Sequence, residues 1–134
     1  MSTGSCLCGS VRFEVRGSFG PVRYCHCTLC QRSTGSAFSA NSRVRAADFE
    51  LLAGDSLISE YESSPGAYRI FCSRCGSPVF ARVESDPAFV RVRLGSLHED
   101  PGVRPSAHVW VGDRAAWFEI ADELPCFSTR PPAA

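Results

Sequence analysis

The sequence predicts an all-β domain of short strands, with its cysteines in the turns between them. Three observations carry this expectation. Apolar and polar residues alternate with a period of two in several separate segments, clusters of Ser, Pro, Gly and Asp divide those segments, and no segment sustains a long helical period.

Val11, Phe13 and Val15 alternate with Arg12, Glu14 and Arg16, the pattern of a half-buried strand. Residues 30–35 read as one helical turn closed by Gly35, and 46–54 as a turn or a loop with a short strand. Segments 57–61 and 67–71 form the clearest pair, a hairpin around Ser64-Pro65-Gly66. Further strands are expected at 78–80, 89–94 and 107–111, divided by Ser85-Asp86-Pro87 and Asp100-Pro101-Gly102 and followed by Gly112-Asp113.

A chain of 134 residues holds one domain with its own core, and no repeat or linker divides it. We expect a single domain over 1–134, with a core about 4–127 and a frayed tail at 128–134 ending in Arg130-Pro-Pro-Ala-Ala. The formal net charge is zero, with no basic run, which argues against a nucleic-acid partner. All fourteen basic residues are Arg, so no lysine Schiff base can form. The absence of Lys also fits a GC-rich bacterial source. The N-terminal segment lacks the basic and apolar regions of a signal peptide, and no apolar run reaches the length of a membrane span. We therefore expect a cytoplasmic protein, where thiols stay reduced and eight cysteines read as metal ligands rather than disulfides.

Seven of the eight cysteines fall into three groups. Cys6 and Cys8 form a C-x-C pair, Cys72 and Cys75 a C-x-x-C followed by Gly76, and Cys25, Cys27 and Cys30 lie in "YCHCTLC". C-x-x-C-G is the shape of a zinc knuckle, and a second thiol pair completes a tetrahedral four-sulfur site. Cys6 and Cys8 can supply it, because residues two apart in an extended segment face one side. Cys6, Cys8, Cys72 and Cys75 are thus the expected structural zinc ligands, in preference to a redox dithiol at 72–75.

Cys25, Cys27 and Cys30 remain. Zinc with three protein ligands keeps an open position, the mark of a catalytic site. Three thiolates leave such a site net negative and a weak activator of water. It can take a substrate thiol as fourth ligand, strip its proton and hold the sulfur near an electrophile. The alternatives are a second closed site, completed by His26, Cys126, His98 or His108, or three core thiols without metal. His26 can line the site and help move protons, and Arg32 can bind a substrate carboxylate. Trp110, Trp117 and Phe118 read as core, and Cys126 as a small buried hydrophobe.

The ordered set "GSCLCGSVRFEV", "YCHCTLCQRSTGS", "FCSRCGSPVF", "LGSLHEDP" and "DELPCF" resembles the family of glutathione-dependent formaldehyde-activating enzymes, also called the centromere-protein-V family. The resemblance runs from about Gly4 to Phe127. It implies an Mss4-like all-β fold of twisted antiparallel sheets stapled by zinc. It assigns Cys6, Cys8, Cys72 and Cys75 to the structural zinc and Cys25, Cys27 and Cys30 to the catalytic one. It also implies two zinc ions per chain, with glutathione as the thiol, formaldehyde as the aldehyde, and carbon–sulfur lyase chemistry. We expect the three-ligand zinc to be the more labile. The competing expectation is a zinc-stabilised protein-binding module without chemistry.

Overall fold

A computed structural model describes residues 1–131. The described residues form ten strands and one α-helix, the strands arranged as two sheets. β1 (Ser2–Ser5), β2 (Arg12–Val15) and β5 (Phe49–Ala53) make an antiparallel three-stranded sheet in the order β1-β2-β5. The second sheet comprises β3 (Val22–Cys25), β4 (Ser39–Arg45), β6 (Ile58–Ser64), β7 (Ala67–Cys72), β8 (Pro78–Val83), β9 (Phe89–Arg93) and β10 (Pro105–Val109). Its order is β10-β3-β4-β9-β8-β7-β6. The helix α1 spans Thr28–Thr34, between β3 and β4.

The core lies between the sheets. The alternation that marks β2 buries Val11, Phe13 and Val15 completely. They cluster with Val44 of β4, Ile70 of β7, Phe80 of β8, and Val90 and Val92 of β9. Burying side chains of this size contributes about 1.5–3 kcal/mol each, offset by the entropy of ordering them. Phe49 joins from β5, stacking on Phe13 at 5.2 Å and lying 4.6 Å from Phe80.

Residues paired directly across neighbouring strands point to the same side. The register therefore defines the second sheet's other face. Cys25 pairs with Ser39, Arg23 with Asn41, Asn41 with Arg93, Arg43 with Arg91, Arg91 with Ala81, and Ala81 with Arg69. One face thus carries the core residues Val44, Ile70, Phe80, Val90 and Val92 against the smaller sheet, and the other carries Cys25 and six arginines, Arg45 being the sixth.

Several expectations need correction. β10 runs parallel to β3, so the larger sheet is not purely antiparallel. β10 also ends at Val109, because Trp110 adopts a left-handed backbone (φ 57°) and its N–H turns to the carbonyl of Thr129. β8 reaches Val83, and β1, β3 and β4 are additional strands. Not all cysteines sit in turns: Cys25 ends β3, Cys72 ends β7, and Cys30 lies within α1. Trp117 is 73% exposed and Cys126 is exposed, so neither belongs to the core. The tail is tied further than expected, since Ser128 and Thr129 accept backbone bonds from Gly112 and Trp110. The remainder of the expected frayed segment, 132–134, lies outside the described residues. No helix among the described residues is long and apolar enough to cross a membrane.

Candidate metal centre

Two groups of thiols converge, each with its sulfurs within 4.8 Å of one another. The first is Cys6, Cys8, Cys72 and Cys75. Cys6 and Cys8 sit in a tight turn rather than an extended segment: Gly9 N–H bonds the Cys6 carbonyl at 3.1 Å. The turn still aims both sulfurs inward, 3.6 Å apart. Cys72 and Cys75 flank a second turn, closed by Gly76 N–H on the Cys72 carbonyl at 2.7 Å. Gly76 holds φ +77°, where a side chain is disfavoured. The Ser77 hydroxyl accepts from Leu7 N–H at 3.0 Å and ties the two turns together.

The sulfur spacing tests what this group can hold. A zinc ion ~2.3 Å from each of four sulfurs sets them about 3.8 Å apart at tetrahedral angles. The Cys6–Cys8 and Cys8–Cys72 separations are 3.6 and 3.9 Å, far beyond a disulfide bond. Val11 N–H also donates to Cys6 Sγ at 3.3 Å. The backbone N–H groups of Ser77 and Cys8 pull the Cys75 thiol down to about 6, and the Ser10 hydroxyl lowers Cys8. These groups are therefore suited to the thiolate form a metal requires.

The second group is Cys25, Cys27 and Cys30. β3 delivers Cys25 as its last residue, and His26 N–H still bonds the Val109 carbonyl of β10 before the chain turns into α1. Cys27 caps α1, its sulfur accepting from Cys30 N–H at 3.3 Å. The helix turn brings buried Cys30 back over the arginine-bearing face. Gly35 ends the helix in the left-handed conformation, as its sequence position implied. Gln31 fixes the entry, donating to the carbonyls of His26 and Asp113.

Cys30 and Cys25 shift in opposite directions. Hydrogen bonds from Cys25 and Cys27 hold Cys30 well below the usual thiol range, with help from Ser39 and the Arg69 charge. Cys25 moves the other way, through its bonds to Cys27 and Cys30 and through burial. Arg69 extends both Nη atoms toward Cys30 Sγ, at 3.8 and 3.7 Å. Arg93 is buried behind the trio, where the charges of Cys30 and Cys25 act on it.

No fourth Cys, His, Asp or Glu ligand atom joins this trio among the described residues. The groups named as alternatives are engaged elsewhere. His26 is buried, with Nε2 2.7 Å from His108 Nδ1 and its ring among Phe38 and Phe118. His108 Nε2 donates to Asp122 at 2.9 Å. His98 bonds Thr3 and Ser5, and Cys126 Sγ faces the Leu124 carbonyl. Arg32 is exposed on α1 and makes no hydrogen bond among the described residues. Sequence reasoning missed Arg69 and Arg93. Their alternation in strands showed a side, but only the strand order reveals that this side carries the sulfurs.

The trio opens beside a groove of about 640 Å³ lined by Arg23, Cys25, Asn41, Arg43 and Arg91. The fold and site together define a nearly all-β protein with two metal-competent thiol clusters, one of four sulfurs and one of three. The model for the glutathione-dependent formaldehyde-activating enzymes matches residues 1–113, and the chain belongs to that family. A protein of Halomonas elongata named for the same activity is 30% identical, over 96% of this chain and 87% of its own length. An uncharacterized lyase of Schizosaccharomyces pombe is 24% identical, over 93% and 89%. Among solved structures, a Rhodobacter sphaeroides protein aligns with a TM-score of 0.62 and 27% identity, covering 77% of this chain and 91% of that one.

Proposed function

We propose that this protein joins a small thiol to an aldehyde, and cleaves the same adduct, at zinc held by Cys25, Cys27 and Cys30. The substrates that fit the family are glutathione and formaldehyde. Cys6, Cys8, Cys72 and Cys75 then hold a second, structural zinc, and the reaction is of carbon–sulfur lyase type. The observation that carries this reading is the contrast between the clusters: one has four sulfurs, the other three and no further Cys, His, Asp or Glu donor among the described residues.

When bound at the trio, zinc supplies a position that lowers the pKa of a thiol. The rest belongs to the chain. Cys27, fixed as the helix cap, and Cys30, pinned beside Arg69, set the direction in which the site opens. His26 and Gln31 hold the strand-to-helix corner against β10 and Asp113. The unpaired side of the cationic groove offers Arg23 to the carboxylates of glutathione, and exposed Arg32 offers a further contact. The thiol loses its proton to solvent and its sulfur attacks the aldehyde carbon. One C–S bond forms, the C=O bond becomes a C–O bond, and the oxygen takes up a proton. No electrons are gained or lost overall.

Cobalt substitution tests the reading. Added glutathione changes the visible absorption of the cobalt-loaded protein if the trio leaves a position open. An unchanged spectrum at saturating glutathione contradicts the proposal and favours a zinc-stabilised binding module.

A further inference from the structure

The arginines on the sulfur-bearing face are not equivalent. Asp86 pairs with two of them, accepting from Arg43 at 2.9 and 3.0 Å and from Arg91 at 3.0 Å. Arg69 and Arg93 have no carboxylate partner among the described residues. Arg69 donates to Ser63, Ser33 and Cys30 Sγ, all uncharged groups unless the sulfur is ionised. Arg93 is 7% exposed, donates to Asn41, and its Nε finds no partner among the described residues.

A buried guanidinium without an anion is costly, because its lost hydration is not replaced. The anion available to both arginines is the trio itself. We propose that Arg69 and Arg93 are positioning residues that make this site selective for an ionised thiol over a neutral ligand. The inference rests on the reading of the trio as an open metal position. Three thiolates around a divalent ion carry one net negative charge, and a bound thiolate raises it to two. Two guanidiniums offset that charge, whereas a neutral fourth ligand leaves one of them uncompensated. At the short distances and low dielectric of this site, one charge is ample to decide between ligands.

The test compares two ligands on the full-length, cobalt-loaded protein. 2-Mercaptoethanol provides a thiol without a carboxylate, so the groove arginines do not contribute, and imidazole provides a neutral donor. Both are titrated by visible absorption in the wild type, Arg69→Gln, Arg93→Gln and Arg69→Lys. The thiol affinity is expected to fall about tenfold in each Gln variant, equivalent to about 1.4 kcal/mol. Imidazole affinity is expected to hold or rise, and Arg69→Lys to recover most of the thiol affinity. Half-exposed Arg69 keeps the test decisive if Arg93→Gln does not fold. Equal losses for both ligands overturn the proposal, because that is what a merely structural role gives. A wild type that binds the thiol, with variants that bind it equally well, overturns the arginine assignment alone. A wild type that binds no thiol overturns the open-site reading and this proposal with it.

Discussion

His26 Nε2 lies 2.7 Å from His108 Nδ1, and Asp122 accepts from the far side of His108 at 2.9 Å. Asp122 takes the Nε2 proton of His108, and in neutral His108 Nδ1 then accepts, so that His26 donates from its Nε2. Burial pushes the His26 pKa down, and the Arg114 charge adds to it, keeping the ring neutral. The corner that delivers Cys25 and Cys27 is therefore held by a buried polar row. Replacing His108→Phe strands His26 and is expected to cost about 1–3 kcal/mol in urea unfolding. Asp122→Asn, at a side chain 44% exposed, should cost under about 1 kcal/mol. Equal effects of the two substitutions would count against burial of the His26–His108 pair as the source of the difference.

The four-sulfur group should supply folding energy directly, because its ligands come from turns far apart in the chain. Cys72→Ser is expected to lose one metal equivalent and the cooperative thermal transition together. Cys126→Ser should leave metal content unchanged and stability within about 0.5 kcal/mol, since its sulfur is exposed and belongs to neither cluster. Elemental analysis and circular dichroism on the two variants check both outcomes.

Gly76 closes the second knuckle at φ +77° with open space where a Cβ would stand. Gly76→Ala is therefore strained by its backbone and not by a clash. The expected cost is about 1–2 kcal/mol, with faster release of the four-sulfur metal to a chelator. Unchanged release would show that the knuckle tolerates a side chain.

The acid response of Asp86 has a definite sign. Hydrogen bonds from Arg43, reinforced by the charges of Arg43 and Arg91, hold its carboxyl below the usual range. A depressed carboxyl contributes stability above the unfolded pKa of about 3.9 and loses it as pH falls through the folded value. Partial exposure limits the contribution to about 0.5–1 kcal/mol. The difference in unfolding free energy between wild type and Asp86→Asn should be present at neutral pH and shrink below about pH 4. A difference that grows in acid would contradict the assignment.

The trio should also hold its metal less tightly than the four-sulfur group, having one protein bond fewer. Brief mild chelation is expected to remove one equivalent, and glutathione to slow that loss. Two equivalents lost at the same rate would contradict the distinction.

The parts of the fold visible in the sequence were those whose pattern is local. Val11, Phe13 and Val15 alternate because one face of β2 is buried, and Ser64-Pro65-Gly66 pairs β6 with β7 through a short turn. β4 stayed hidden because its buried residues include Ser39 and Ser42, polar side chains satisfied by neighbours that only the fold brings near. β3 stayed hidden because its outward face carries Arg23 and Cys25, which line the groove rather than the core. The thiol clusters were legible from spacing, since C-x-C and C-x-x-C keep the sulfurs of each group close along the chain. Arg69 and Arg93 were not, because they reach the trio only through strand order, 39 residues from Cys30 in the case of Arg69.

The most direct test is the rate at which purified, zinc-loaded protein forms S-hydroxymethylglutathione from glutathione and formaldehyde, followed by exchange-resolved NMR beside Cys27→Ser. The account predicts a rate at least about tenfold above the uncatalysed one, falling to the uncatalysed rate in a folded Cys27→Ser protein that keeps its four-sulfur metal. Equal rates for the wild type and the variant would contradict it.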